Sequence, residues 1–474
     1  MANLYFRNVG TAWDTATNWS LTNGGGATGT VPTSADVANF TVNSGNCTIT
    51  NPAECLGLVA VGYLNTLTQN GDLQIGTSGI NWGVGTFVGS VKITAGGGDV
   101  TILGSFTQTN GTFTAPKRLM TIYKDIDISA GVFLHGNGTV VLFSSNACTI
   151  KSLAVKIVNV GVFWNLDISK SGLYSTTITN NCEVLNKLIH RSGSSFTGAD
   201  FVIYYQVEFL CTSDEIGSGG FSFSKPTNCE ISGGGNIVGP IKINNASVVI
   251  AVMNDIYINY NFTYTAGTID WGGNTAHLVS SNVSILTNAT FWNLNLNKAV
   301  NNYITIAGSN TIVLNKLTVT VCAKIDGATF YLEVRGDIEL IQSTPALTSS
   351  SKGIKASGGA DIQKLSCAGF FDFPFTIAKS AGKVLLTSKM NFSKAFDIEI
   401  DSGGFDLDVF SISSLKDFTM FGGEFIGNSG IATFKNVSIL SGTFRESSAP
   451  FYITGSILVI TVPAIYVNNL SGGI

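Results

Sequence analysis

Paired carboxylates are the residues of this sequence whose type and spacing most readily suggest chemistry. Asp125 with Asp127, Asp406 with Asp408, and the run Asp397, Glu399 and Asp401 set acids two positions apart. Residues i and i+2 of a strand share a face. Two carboxylates on one outer face are what glycoside hydrolysis uses: one protonates the leaving oxygen and the other attacks or activates water. A plainer reading competes. In "DIEID", Ile398 and Ile400 alternate with the acids and point toward a core, which leaves the acids as a solvated face that discourages edge pairing. No cluster of Arg and Lys accompanies any of these groups. The plainer reading is preferred, and no catalytic residue is assigned.

The other reactive side chains are sparse. The three histidines, His135, His190 and His277, are far apart in the sequence. No G-x-S-x-G elbow accompanies them, so neither a catalytic histidine nor a histidine metal site is expected. The cysteines, Cys47, Cys55, Cys148, Cys182, Cys211, Cys229, Cys322 and Cys367, form no C-x-x-C pair. They read as small buried hydrophobes, with Cys47 and Cys55 as the one pair near enough for a bridge across a turn. "TAGGGDV" (94–100) and "SGGGNIVG" (232–239) lack the Lys-Ser/Thr end of a phosphate loop and read as chain corners. No metal and no cofactor is expected.

Aromatic pairs are more informative because they recur. "FWNLDISK" at 163–170 returns as "FWNLNLNK" at 291–298. Adjacent residues of a strand face opposite sides. One ring of each pair therefore fills a core, and Trp164 and Trp292 emerge sideways, where a bare Trp invites cover. A neighbouring copy, an overlying loop of the same chain and a stacked sugar are the candidate covers. The Asn that follows is placed to ladder between turns, and Lys170 and Lys298 are expected as solvated ends.

The elements that must position these residues are strands. Charged residues make up 12% of the 474, against roughly 25% in an ordinary domain. Mean hydropathy is +0.30, the formal net charge is -4 and the pI is about 5.4. Short runs alternate apolar and polar residues, are rich in Val, Ile and Thr, and are broken by some of the 54 glycines. Only "AECLGLVAVGYL" (53–64) has spacing that suits a short helix. A small unit, Gly followed two residues later by an aromatic or Ile, recurs in "TNGTF", "SAGVF", "TAGTI", "DSGGF", "FGGEF" and "LSGTF". Gly permits a positive φ at the corner, and the later residue returns to the inward face.

Larger blocks repeat in the same order. "SAGVFLHGNGTVVLFSSN" (129–146) aligns without a gap to "TAGTIDWGGNTAHLVSSN" (265–282). The Phe-Trp-Asn-Leu motif follows each, and "VLNKL" follows at 184–188 and 313–317. Recurrence at about 130 residues, built on smaller strand-and-corner units, predicts stacked turns that cover one another's apolar faces. The expected fold is all-β: a β-solenoid of stacked, parallel β-helix-like coils with a small N-terminal β cap or attachment module. About fifteen coils at 4.8 Å each would give roughly 70 Å. Residues 1–95 read as the cap or attachment module, 96–378 as the repeat-containing solenoid, and 379–474 as a C-terminal β region.

The longest apolar run, "SILVITVPAIYV" (456–467), is too short for a spanning helix and contains Pro463. "MANLYFRNVG" has no basic start followed by an apolar core, so no secretory signal is expected. The 26 Lys and Arg residues form no basic run, so neither nucleic acid nor a membrane is an expected partner. Scattered thiols without a signal suit a reducing compartment.

"GTAWDTATNWSL" followed by "VPTSADVANF", with Trp13 and Trp19 and an inward Phe, resembles the start of stacked β repeats in large bacterial surface proteins and in phage virion proteins. The resemblance is nearest to fibre and head-decoration proteins of phages infecting Bacteroidetes. The Phe-Trp-Asn units resemble the same repeats. The resemblance covers about the first 45 residues and the two internal units, and it brings no catalytic motif. It implies a β-solenoid, often trimeric, built into a particle. The expectation is therefore a non-enzymatic virion protein assembled in the host cytoplasm. It would be a head fibre, capsid decoration or tail-associated fibre that forms a homo-oligomer, with a trimer favoured. Its N-terminal region would contact other virion proteins, and Trp13, Trp19, Trp164 and Trp292 would serve packing or interfaces. The alternatives are a tailspike that binds or degrades polysaccharide, with host-surface glycans as partner, and a bacterial surface adhesin.

Overall fold

In the computed structural model, the described residues are 1–466 apart from 91–97, 155–157, 171–173, 193–194, 211–217, 226, 238, 280–283, 299–302, 323, 327–328, 342–346, 350–351, 369, 393–396, 415, 446–447 and 460–463. Parts of the glycine runs at 94–100 and 232–239, part of the apolar run at 456–467, and Cys211 lie outside them. The chain is all-β, 57% strand, with parallel stacked coils forming a β-solenoid of about 17 turns. Among the described residues the one helical element is the 3-10 turn Ala16–Asn18. No helix there is long and apolar enough to cross a membrane.

Two compact units divide the chain. The first is 1–251 with 266–269; the second is 252–265 with 270–474. The division falls inside the repeat-bearing stretch.

In the first unit each turn contributes strands to stacked columns of inward residues. Ala38, Leu58, Ile80, Phe106, Ile126 and Ile150 succeed one another in register. A second column is Cys47, Leu67, Phe87, Phe113 and Phe133. Its Phe87 and Phe113 rings stack 4.2 Å apart. All these side chains are buried. One turn alone exposes its apolar face, and the next turn covers it.

Glycine corners time these columns. Gly111, Gly131, Gly403, Gly423 and Gly442 all have positive φ, and Phe113, Phe133, Phe405, Phe425 and Phe444 two residues on are buried. Ile269, the sixth member, is only half-buried. A Cβ on Gly423 would sit 2.2 Å from the Gly403 carbonyl oxygen, so close stacking as well as φ demands glycine here.

Residues 53–64 are not helical. Ala53–Ala60 is a strand, with Cys55, Gly57, Leu58 and Ala60 buried. Its register against Leu73–Trp82 shifts between Cys55 and Gly57. The extra residues lie in Leu73–Trp82; beside them the buried positions of this strand step from Cys55 to Leu58, three apart, which imitates helical spacing.

Strand pairing differs around residues 3–39. Asn3–Phe6 pairs parallel with Val37–Asn39 on one side and antiparallel with Trp19–Ser20 on the other. Trp13 and Trp19 meet edge to face at 4.9 Å, and Trp19 packs on Phe6 and Phe40. Trp19 Nε1 donates to the Trp13 carbonyl oxygen at 2.7 Å. Both indoles are buried, so the two rings pack against each other and their aromatic neighbours inside this turn.

Candidate functional site

The repeated motif occupies two neighbouring turns in each unit. Phe163–Lys170 pairs with Cys182–Ser192, and Thr290–Asn297 pairs with Thr311–Val321. Phe163 faces Val184, but Asn165 faces Lys187, so the second strand carries one extra residue. Phe291 faces Val313 and Asn293 faces Lys316, with the same shift. The "FWNL" and "VLNKL" matches are thus two halves of one bulged pair. Asn186 Nδ2 donates to Asn165 Oδ1 at 2.7 Å, and Asn315 Nδ2 donates to Asn293 Oδ1 at 2.7 Å. The expected Asn ladder is present in both units.

A third turn belongs to the motif. Lys187 pairs with Glu208 at 2.7 Å, and Lys316 pairs with Glu339 at 2.7 Å. "QVEF" and "DIEL" share only Glu, so a scan for identical blocks passes over them. Partners one turn away become visible only when the turns are stacked.

Phe163 and Phe291 are buried, and the Trp beside each faces outward, as the adjacent-residue rule requires. Their covers differ. The Trp164 ring stacks on the His135 imidazole, with centroids 5.4 Å apart and planes 27° apart. His135 Nδ1 accepts the Asn137 backbone N–H at 3.0 Å, and burial lowers the pKa of this imidazole. At the equivalent column Trp271 turns into the core. It packs on Phe291 at 5.2 Å and donates Nε1–H to the Thr290 carbonyl oxygen at 2.8 Å. Trp292 is left 40% exposed.

Lys170 and Lys298 correct the sequence reading. Neither is a solvated end; both are buried. Lys170 Nζ donates to the carbonyl oxygens of Asn146, Tyr174 and Ser175 at 2.9, 3.2 and 3.0 Å. Burial lowers Lys298 to a pKa of about 8, opposed by nearby Cys322. Counting by two from Leu166 and Ile168 puts position 170 on the inward face. That signal was in the sequence, but the ordinary preference of Lys for solvent obscured it.

The paired acids engage different partners. Asp125 accepts the Thr149 N–H at 2.8 Å. Asp127 accepts from Ser129 and Lys151; burial would raise its pKa, but these hydrogen bonds and the Lys151 charge hold it below the ordinary value. Asp406 is buried and pairs with Lys383 at 2.6 Å, while Asp408 sits at an exposed corner with φ 53°. Ile398 and Ile400 point inward as expected, leaving Asp397, Glu399 and Asp401 on the outer side. Burial and then the flanking acids Asp401 and Asp397 raise Glu399.

An acidic groove missed in the sequence lies in the first unit. It encloses about 570 Å³ and is lined by Glu54, Asp72 and Asp99 with Gln74 and Thr101. These acids come from three successive turns. Asp99 N–H donates to Asp72 Oδ1 at 2.9 Å. Desolvation raises the Asp99 carboxyl, Arg118 at 3.2 Å opposes the rise, and Asp72 adds to it.

His190 lies buried in an apolar column opposite Ile168 and packs on Phe196 at 4.6 Å. His277 stacks on Tyr257 at 4.7 Å. Among the described residues, no group of three or more His, Cys, Asp or Glu is placed to hold a metal ion. The described cysteines are buried thiols, with Cys47 and Cys55 unbridged; burial raises Cys55 to about 12 and Cys322 to about 11. Compared with known proteins, the chain matches no family model, no curated protein and no solved structure.

Proposed function

We propose that the chain is a non-enzymatic structural protein of a phage particle: a head fibre, capsid decoration or tail-associated fibre. It associates with its own copies, with a trimer as the favoured state, and meets other virion proteins through its N-terminal region. One observation carries this reading. Polar side chains at the repeated motif join turn to turn: Asn165 to Asn186, Lys187 to Glu208, and the same sequence of bonds in the second unit. Such bonds resist shear between turns, which suits a load-bearing part. Mass spectrometry and antibody labelling of purified particles provide the test. Protein bound at fixed copy number supports the reading, and protein absent from particles overturns it.

The acidic groove favours a second reading, a spike that binds or degrades polysaccharide. Asp72 and Asp99 occupy adjacent turns, whose spacing of about 4.8 Å approaches that of retaining glycosidases. The raised Asp99 would serve as the acid and Asp72 as its partner. Release of reducing ends from host capsule, lost in both Asp99→Asn and Asp72→Asn, would establish this reading in place of the first.

A further inference from the structure

Lys170, Lys298 and Lys379 are buried lysines among the described residues. Lys170 is held by main-chain carbonyl oxygens. Lys379 is held differently. Its Nζ donates to the side-chain amide oxygen of Gln363, Oε1, at 3.4 Å, and both residues are 1% exposed. Among the described residues, Oε1 is the one hydrogen-bond acceptor of this ammonium.

The fold brings the pair together from adjacent turns. Ile354–Ala356 and Ile362–Cys367 belong to one turn, and Phe375–Leu386 runs along both. Ala356 faces Ile377, and Gln363 faces Val384. Lys379 sits where the long strand passes from one partner to the other. These paired side chains are all buried, so the corner excludes bulk water.

Gln363 is fixed from its far side. Its Nε2 donates to the carbonyl oxygens of Val334, at 3.0 Å, and of Gly336, one turn back. The buried Gln69 is satisfied by backbone at both ends. Its Nε2 donates to the Gly71 carbonyl oxygen at 2.6 Å, and its Oε1 accepts the Ser90 N–H at 2.9 Å. Gln363 presents its carbonyl to an amine instead.

A buried ammonium with one neutral acceptor is poorly compensated. Burial lowers the pKa of Lys379, and the charge of Asp361 opposes that shift. A desolvated lysine amine is a nucleophile, and here the fold holds it against a carboxamide carbonyl.

We infer that Lys379 and Gln363 condense into an intramolecular isopeptide bond. Nζ attacks Cδ, the Nζ–Cδ bond forms, and the Cδ–Nε2 bond breaks. The two protons that the Lys379 ammonium gives up leave with Nε2 as an ammonium ion. Asp361 can carry them: its charge reaches Lys379. With Gly382 and Gly403 it lines an open groove of about 480 Å³. The condensation consumes no oxidant and no co-reactant. It replaces a buried cation with a neutral amide and ties two turns covalently. The bond would form whether or not the chain belongs to a particle.

Intact-mass spectrometry of the purified full chain, followed by a tryptic map, tests the bond. The parent should be lighter than its sequence by one ammonia. Trypsin should fail to cut after Lys379 and should release 356–364 joined to 365–383. Gln363→Leu and Lys379→Met should each keep the full mass of their own sequences. Mass and map are read on the denatured parent, so they decide the matter even where a variant folds poorly. A parent of full mass overturns the inference. So does an ammonia loss that leaves trypsin cutting after Lys379, as an asparagine succinimide would, or one that persists in both variants.

Discussion

The two copies of the repeated motif share a frame and differ in what fills it. The bulge, the Asn pair and the Lys–Glu pair coincide, and both Asn–Asn distances are 2.7 Å. The fillings diverge at the rings. Both lysines are buried; Lys170 Nζ donates to three carbonyl oxygens, and burial lowers Lys298 to about 8. Trp164 lies on His135, whereas Trp271 leaves that place and Trp292 stays exposed. Backbone register and the polar ladder are thus the constrained part of the motif, and the groups beside them vary.

The lysines provide the largest test of this contrast. Lys170→Met removes the donor from three carbonyl oxygens and should destabilise the surrounding turns by about 2–4 kcal/mol, read by hydrogen exchange. Lys298→Met removes an equally buried ammonium and should also destabilise the turns around it. The pH response tests Lys298 directly. Folded Lys298 gives up its proton near pH 8, while the unfolded chain holds it to about 10.5. The unfolded state therefore binds more protons between these values, and stability rises with pH across that window. Lys298→Met should abolish the rise, and a rise that survives would refute this assignment.

Breaking the shared frame comes next. Asn186→Ala and Asn315→Ala should each cost about 1–2 kcal/mol and by similar amounts. Markedly unequal losses would mean the frame is not equivalent in the two units. A smaller effect is expected at the rings. His135→Ala should red-shift Trp emission and increase its quenching by iodide, while Trp271→His should reduce quenching of Trp292. His135 holds its proton less tightly when folded than when unfolded. Its contribution to stability is therefore present above about pH 6.5 and is lost as pH falls through that value toward the lower folded pKa. His135→Phe should flatten that loss.

The smallest effect should come from Glu399, outside the motif. Its folded pKa is raised, so the folded state binds more protons just above the ordinary value of 4.5 and stability declines as pH rises through the folded pKa. Glu399→Gln should raise the melting temperature slightly at neutral pH and leave it unchanged at about pH 4. Equal melting at both pH values would contradict the assignment.

Much of this was legible because a solenoid writes its period into the chain. Alternation gave the strands, Gly111, Gly131 and Gly403 gave the corners, and Asn165 could be placed on a ladder before any partner was known. What escaped depends on neighbours across turns. Glu208 and Asp99 gain meaning from residues about 20 or more positions away in the chain, brought alongside by stacking. Bulges hid the rest. Opposite an extra residue or two in the partner strand, the buried positions step by three from Cys55 to Leu58, which mimicked a helix, and from Phe163 to Leu166, which reset the parity from which Lys170 must be counted.

That reset parity also governs how such a chain can lengthen. A strand carrying the extra residue matches only a neighbour cut to receive it. Copying a single turn would therefore set unmatched strands together and turn inward side chains out. The block that can be copied intact must hold Phe-Trp-Asn, Leu-Asn-Lys and the Glu that follows, and it recurs about 130 residues on. Recombination in this molecule therefore has a reading frame of turns as well as of codons.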